Sequence, residues 1–336
     1  MAALGPAVSL VSVGGGGVTW YGTHVRVGNA MDEPMHEQAA VLALVRACKG
    51  EWYQTADMIS EAGSALRLLG GEPVIMSAER REHARELASR ISPADVSQAQ
   101  ALIERVTSQG VRLITVLDDD YPENLRLIFN RPPFIWVRGQ LESRNLRAIA
   151  VVGTRQATPQ GHALATRLAQ GLARARVTVL SGLARGIDTA AQAATIEAGG
   201  RTVAVIGTGI LAPVYPAEND DLAGRIVETG GAIVSQFWPQ APPRRVNFPR
   251  RNIVMSGMAA GTVVVEAAAT SGAKMQARLA LEHGKRLFLP EPLVASQEWA
   301  GKYASRPGVT VISDVDDILD ELVKVVEIPR QLTLSF

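Results

Sequence analysis

The segment Asn247-Phe248-Pro249-Arg250-Arg251-Asn252 sets adjacent arginines between two asparagines, beside a rigid Phe-Pro step and ahead of the apolar run Ile253-Val254-Met255. Arg244 and Arg245 lie just upstream, and no acidic residue interrupts the group. Clustered guanidinium groups repel one another unless an anion neutralises them, so the segment reads as a phosphate contact. An arginine-rich solvated loop is the plainer alternative. Phe248, with Phe237 and Trp238 before it, offers flat faces on which unpaired bases stack. The same rings serve equally well as core or loop anchors.

Upstream, the strand-like run Ile149 to Val152 enters Gly153-Thr154-Arg155, with Thr158 and Pro159 placed to cap and start a helix. A helix N-terminus carries free N–H groups and partial positive charge, and Arg155 adds a full one. Ser181-Gly182-Leu183-Ala184-Arg185-Gly186-Ile187-Asp188 repeats the design after Val179-Leu180. Here Ser181, Gly182 and Gly186 are candidate phosphate contacts, Arg185 a clamp, and Asp188 a helix cap. Lys274 and Arg278, one helical turn apart, extend the basic surface or are simply solvated. Together these turns predict one phosphate-binding face.

Catalytic chemistry is harder to place. Gly207-Thr208-Gly209-Ile210-Leu211-Ala212 fits the dinucleotide fingerprint, but Pro213 and Pro216 fall where its helix should start. There is no Walker A sequence. The five histidines show no metal-ligand spacing, and the single Cys48 excludes a Cys-based zinc site or an internal disulfide. Glu266 ends an apolar strand with no second acid placed beside it. The expectation is a binding protein without catalytic role, cofactor or metal.

The elements that must position these groups follow from composition and period. At 336 residues the chain predicts two domains, and 47% hydrophobic with 20% charged residues marks a globular protein. The net charge of +1 confines any nucleic-acid contact to a local patch. No apolar run reaches the roughly 18 residues needed to span a bilayer, and the lone cysteine fits a reducing cytoplasm. Residues 1–30, with a glycine tract at Gly14 to Gly17, read as a disordered or over-extended start. Residues 31–110 read as a small helical domain, with Ser92 capping a helix from Pro93. Residues 111–328 read as a doubly wound parallel sheet: buried-type strands alternate with helices, and the Gly/Arg turns sit at strand carboxyl ends, where such sheets bind ligands. Residues 329–336 read as a tail that Pro329 releases from the last helix. Leu332, Leu334 and Phe336 alternate there as apolar groups suited to a partner's groove.

Taken together, these motifs resemble the DprA/Smf family of DNA-processing proteins. The match includes Gly153-Thr154-Arg155, Ser181 to Asp188, Tyr215-Pro216-Ala217-Glu218-Asn219, Asn247 to Asn252 and Val264-Val265-Glu266. The resemblance implies an extended Rossmann-like fold, single-stranded DNA binding, a homodimer, and loading of a RecA-type recombinase during natural transformation. It carries DNA contact onto Arg155, Ser181, Gly182, Arg185, Asn247, Arg250 and Arg251. Gln192 stands where the family often has His, Pro290-Glu291-Pro292 replaces its Pro-Gly-Ser turn, and no winged helix follows, which implies a divergent member. Gln331-Leu332-Thr333-Leu334-Ser335-Phe336 is similar to the peptide that binds the DNA polymerase sliding clamp. Three other readings use the same fold: a nucleotide sensor, for example in phage defence, a nucleotide phosphoribohydrolase, or an adaptor joining clamp and recombinase.

Overall fold

The structure is a computed structural model that describes residues 33–48, 52–71, 76–142 and 147–332. The expected N-terminal extension, residues 1–30, lies outside the described residues. Helices α1 (Glu33–Ala47), α2 (Trp52–Ala62), α3 (Ala65–Leu69), α4 (Ala78–Ala88) and α5 (Pro93–Thr107) come first. Every residue of α1 from Ala39 to Val45 is buried, because this stretch is apolar on all sides and its neighbours cover it. Ser92 and Asp95 form a capping box at the start of α5.

Strand β1 (Val111–Thr115), the short helix α6 (Glu123–Arg126) and strand β2 (Phe134–Gly139) follow. The β-α alternation then runs β3 (Ala148–Val152), α7 (Pro159–Arg174), β4 (Thr178–Ser181), α8 (Ile187–Glu197), β5 (Thr202–Val205), α9 (Asp220–Glu228) and β6 (Ala232–Ser235). It continues with α10 (Asn247–Met258), β7 (Gly261–Val264), α11 (Gly272–Glu282), β8 (Arg286–Pro290), α12 (Glu291–Ser296), α13 (Glu298–Ala304), β9 (Val309–Ile312) and α14 (Val315–Leu332).

These strands form one sheet in the order β1-β2-β6-β5-β4-β3-β7-β8-β9. From β6 to β9 all neighbours are parallel. The β1–β2 pair is antiparallel and joins the β6 edge, also antiparallel, so the expected all-parallel sheet is mixed at this edge. Strand side chains divide between two apolar layers. Ile149 and Val151 pack with Leu168, Ile187 and Ile318 from α7, α8 and α14. Ala148, Ala150 and Val152 face the layer that holds Val254, Met255 and Ala277 from α10 and α11, together with the N-terminal helices. Burial on both faces is why these strands read as continuous apolar runs.

Two local expectations are corrected. Asn247 to Asn252 is the first part of α10 and not a loop: Pro249 falls in its first turn, where a backbone N–H has no helical partner to lose. Helix α14 runs past Pro329 to Leu332, so Pro329 does not end it. A proline this close to a helix end removes only one bond of the ladder. Of the expected clamp-binding residues, Gln331 and Leu332 belong to α14, whereas Leu334 and Phe336 lie outside the described residues.

Candidate nucleic-acid interface

Chain order reverses between β3 and β7: successive strands step from β3 toward β6 on one side, and from β7 toward β9 on the other. The carboxyl ends of strands diverge at such a switch point and leave a crevice. A cleft of about 480 Å³ opens there. Its walls are the turn after β3 (Gly153, Thr154, Arg155), the turn after β4 (Ala184, Arg185), the start of α10, and the N-terminus of α11 (Ser271 to Ala273).

Arg251 is the buried cation of this cleft, 5% exposed, and its Nε–H has no hydrogen-bond partner. It projects from α10 against the backbone of Gly182, where any Cβ would fall on the guanidinium group. Only glycine leaves that room. Asp188 is the opposing charge. It lies in the second position of α8 and does not cap that helix; its Oδ2 accepts from the N–H groups of Gly182 (3.0 Å) and Ala184 (3.4 Å). Burial pushes its carboxyl upward, against the pull of Arg251. Burial in turn lowers the Arg251 guanidinium, which Asp188 opposes and nearby Arg155 reinforces. A guanidinium titrates so far above neutrality that it stays charged here.

Phe248 forms the aromatic wall. Its ring lies over Gly207, where a Cβ would come within 2.9 Å of the ring. The glycine of the apparent dinucleotide fingerprint therefore makes room for an aromatic side chain. The ring is 5.8 Å from that of Tyr215, and the Arg155 guanidinium stands 5.3 Å above its centroid. Arg155 has no carboxylate partner among the described residues. Arg185 does: it forms a bidentate pair with Glu218, both groups being largely exposed.

Several expected contacts have structural tasks instead. Ser181 is fully buried and its hydroxyl donates to the Val151 carbonyl (2.6 Å), tying β4 to β3. The Gly182 N–H is committed to Asp188, and the Thr154 N–H to the Glu266 carbonyl (2.7 Å). Gly186 is the N-cap of α8 at a φ of 75°. Asn247 is buried and donates to the Pro242 carbonyl (3.4 Å), holding the approach to α10. Asn252 lines the cleft and donates to the Gly272 carbonyl (3.5 Å). Arg250 is exposed and lines a different groove. Lys274 reaches toward the Trp299 ring, 5.9 Å from its centroid. Phe237 is buried, and Trp238 is held between Phe134 and Arg46. The Glu266 carboxylate accepts from the N–H (3.1 Å) and hydroxyl (2.9 Å) of Thr158, which itself caps α7.

Two features of the cleft were missed. The α11 N-terminus, capped by Ser271, lines it, and the first N–H groups of a helix have no helical partner. The signal is Ser271, a cap residue three positions before Lys274, from whose N–H it accepts. Glu218 faces Arg185 across 33 residues of sequence, which no local pattern announces. Among the described residues no group of His, Cys, Asp and Glu could hold a metal ion. No described helix is long and apolar enough to cross a membrane.

Comparison with known proteins identifies the family. Residues 112–323 match the family described as DNA recombination-mediator protein A. Protein Smf of Escherichia coli is 36% identical over 211 residues, which span 62% of this chain and 56% of that protein. The DNA processing protein DprA of Streptococcus pneumoniae is 34% identical over 208 residues, spanning 62% of this chain and 73% of that one. The chain thus spans little more than half the length of the first relative. The solved structure of the S. pneumoniae DprA superposes with a TM-score of 0.65 at 25% identity, covering 84% of this chain and 97% of that one. A Helicobacter pylori DprA structure, described for its single-stranded DNA binding mode, shares the fold with a TM-score of 0.55 at 21% identity, covering 64% of this chain and 96% of its own. With the family match spanning well over half of its length, the chain belongs to the DprA/Smf family of DNA-processing proteins.

Proposed function

We propose that this protein binds single-stranded DNA across the switch-point cleft and acts by holding the strand, not by cutting it. The observation that carries this reading is Arg251, a buried cation with an unpartnered Nε–H in an open cleft, with Arg155 and Phe248 beside it. A phosphate there would meet guanidinium groups and the α11 N-terminus, while an unstacked base could lie on Phe248. In a duplex each base face is covered by its stacked neighbours and is not free for Phe248, so single strands should be preferred. Recognition would be largely independent of sequence, because phosphate contacts position and do not specify.

The family resemblance extends the proposal. As a DNA-processing protein in the cytoplasm, a homodimer would load a RecA-type recombinase on the strand it protects, in transformation, recombination or repair. Gln331, Leu332, Leu334 and Phe336 would tether it to a sliding clamp. The proposed division is a helical domain before residue 111 and a DNA-binding domain after it.

The deciding experiment compares single- and double-stranded oligonucleotides at low and moderate salt, with Arg155→Ala alongside. Tight, salt-sensitive binding of single strands that the variant weakens is the expected result. Equal binding of both forms, or none, refutes the proposal. The cleft volume of about 480 Å³ also suits a mononucleotide. Saturable binding of a free nucleotide that excludes DNA would favour the sensor reading instead.

A further inference from the structure

Arg250 and Arg251 are chain neighbours, and a helix turns about 100° per residue, so they leave α10 in different directions. Arg251 enters the cleft. Arg250 enters a second groove of about 340 Å³, with Trp52, Tyr53, Phe129 and Gln236 in its walls and Ile253, one turn below, in its lining.

Three observations give this groove a chemistry. Phe129 is 59% exposed, yet its ring is fixed edge-on to His283 at 5.6 Å. His283 is itself held by Ser256 and Asn130, at 2.9 Å each. An exposed aromatic ring that is already immobilised loses little entropy when something stacks on it. Gln236 is only 7% exposed and lines the groove, yet its carboxamide has no hydrogen-bond partner among the described residues. The carboxamide sits in the groove lining, where it is open to a donor and an acceptor from a ligand. Arg131 is neutralised by Asp57 at 2.8 Å, whereas Arg250 faces no carboxylate among the described residues.

A stacking face, an open carboxamide and an open cation match the three parts of an unpaired nucleotide: base plane, base edge and phosphate. Both the groove and the cleft are bordered by the start of α10, and exposed Arg244 and Arg245 precede that helix. We propose that the groove is a second nucleotide subsite, occupied by the same DNA strand after it has crossed the N-terminus of α10. The proposal rests on the reading that the cleft holds single-stranded DNA, and it makes binding depend on strand length.

The test is fluorescence anisotropy of an oligothymidylate length series on the full chain, with Phe129→Ala and Arg250→Ala. Both side chains are exposed, so the fold tolerates their loss; thermal melts check this. The wild type should gain affinity in a second step once the strand is long enough to reach the groove. Each variant should remove that step, about 5- to 150-fold on long strands, and leave short-strand affinity unchanged. Long-strand affinity equal to wild type in both variants overturns the second subsite while leaving the cleft reading intact, and would assign the groove to a protein partner. Absence of short-strand binding in the wild type overturns both.

Discussion

Arg155→Ala separates charge from packing in the cleft. Arg155 has two roles in the structure: it stands 5.3 Å above the Phe248 ring, and its guanidinium faces the cleft without a carboxylate partner among the described residues. A charge-assisted hydrogen bond to a phosphate contributes about 1.5–3 kcal/mol, so the variant should bind single strands about 10- to 150-fold more weakly at low salt. The cation–π contact contributes about 0.5–1 kcal/mol and is nearly indifferent to salt by comparison. The salt dependence therefore tells the two roles apart. On single strands each neutralised phosphate adds about 0.7 to the slope of log affinity against log salt. A fourfold rise in salt weakens one such contact about 2.6-fold, so the gap between wild type and variant should narrow by about that factor. Anisotropy titrations at a range of salt concentrations measure both quantities. A weakened variant whose slope equals that of the wild type would refute phosphate contact and leave Arg155 as packing for Phe248.

Other expectations follow from the same geometry. Glu218 competes with phosphate for Arg185, so Glu218→Gln should tighten strand binding and steepen the salt slope by up to about 0.7; unchanged or weaker binding would show that Arg185 does not meet the strand. Gly182→Ala puts a Cβ into the Arg251 guanidinium and should destabilise the fold by about 1–3 kcal/mol in urea melts while weakening DNA binding. Gly224→Ala, with open space at its Cβ inside α9, should instead stabilise by about 0.5–1 kcal/mol. Burial, with help from Lys285, lowers His283 to about 4. The unfolded chain then takes up its proton first as pH falls from about 6.5, so stability is present above that pH and lost toward about 4. His283→Gln should flatten part of that loss; parallel pH profiles of stability would contradict it.

Much of the fold was legible because its determinants are local or periodic. Ser92, Thr158 and Ser271 cap helices through contacts three residues away. Parallel strands announce themselves because burial on both faces demands continuous apolar residues. The family motifs likewise singled out the turns that meet in the cleft.

The site's working parts were less legible, because side-chain direction and partnership depend on distant chain. A helical start at Asn247 sends Arg250 and Arg251 to separate grooves, a difference that adjacent letters cannot express. Burial under the sheet's carboxyl edge turns Ser181 and Asn247 into ties between segments. Glu218 reaches Arg185 because β4 and β5 are neighbours in the sheet, and the α11 N-terminus reaches the turn after β3 because β7 pairs with β3 across the switch point. The sequence by itself determined which elements form and which turns carry charge, since those follow from short-range hydrogen bonding and hydrophobic period. Tertiary structure decided which charges are open to a ligand, since that is set by what long-range packing buries and pairs.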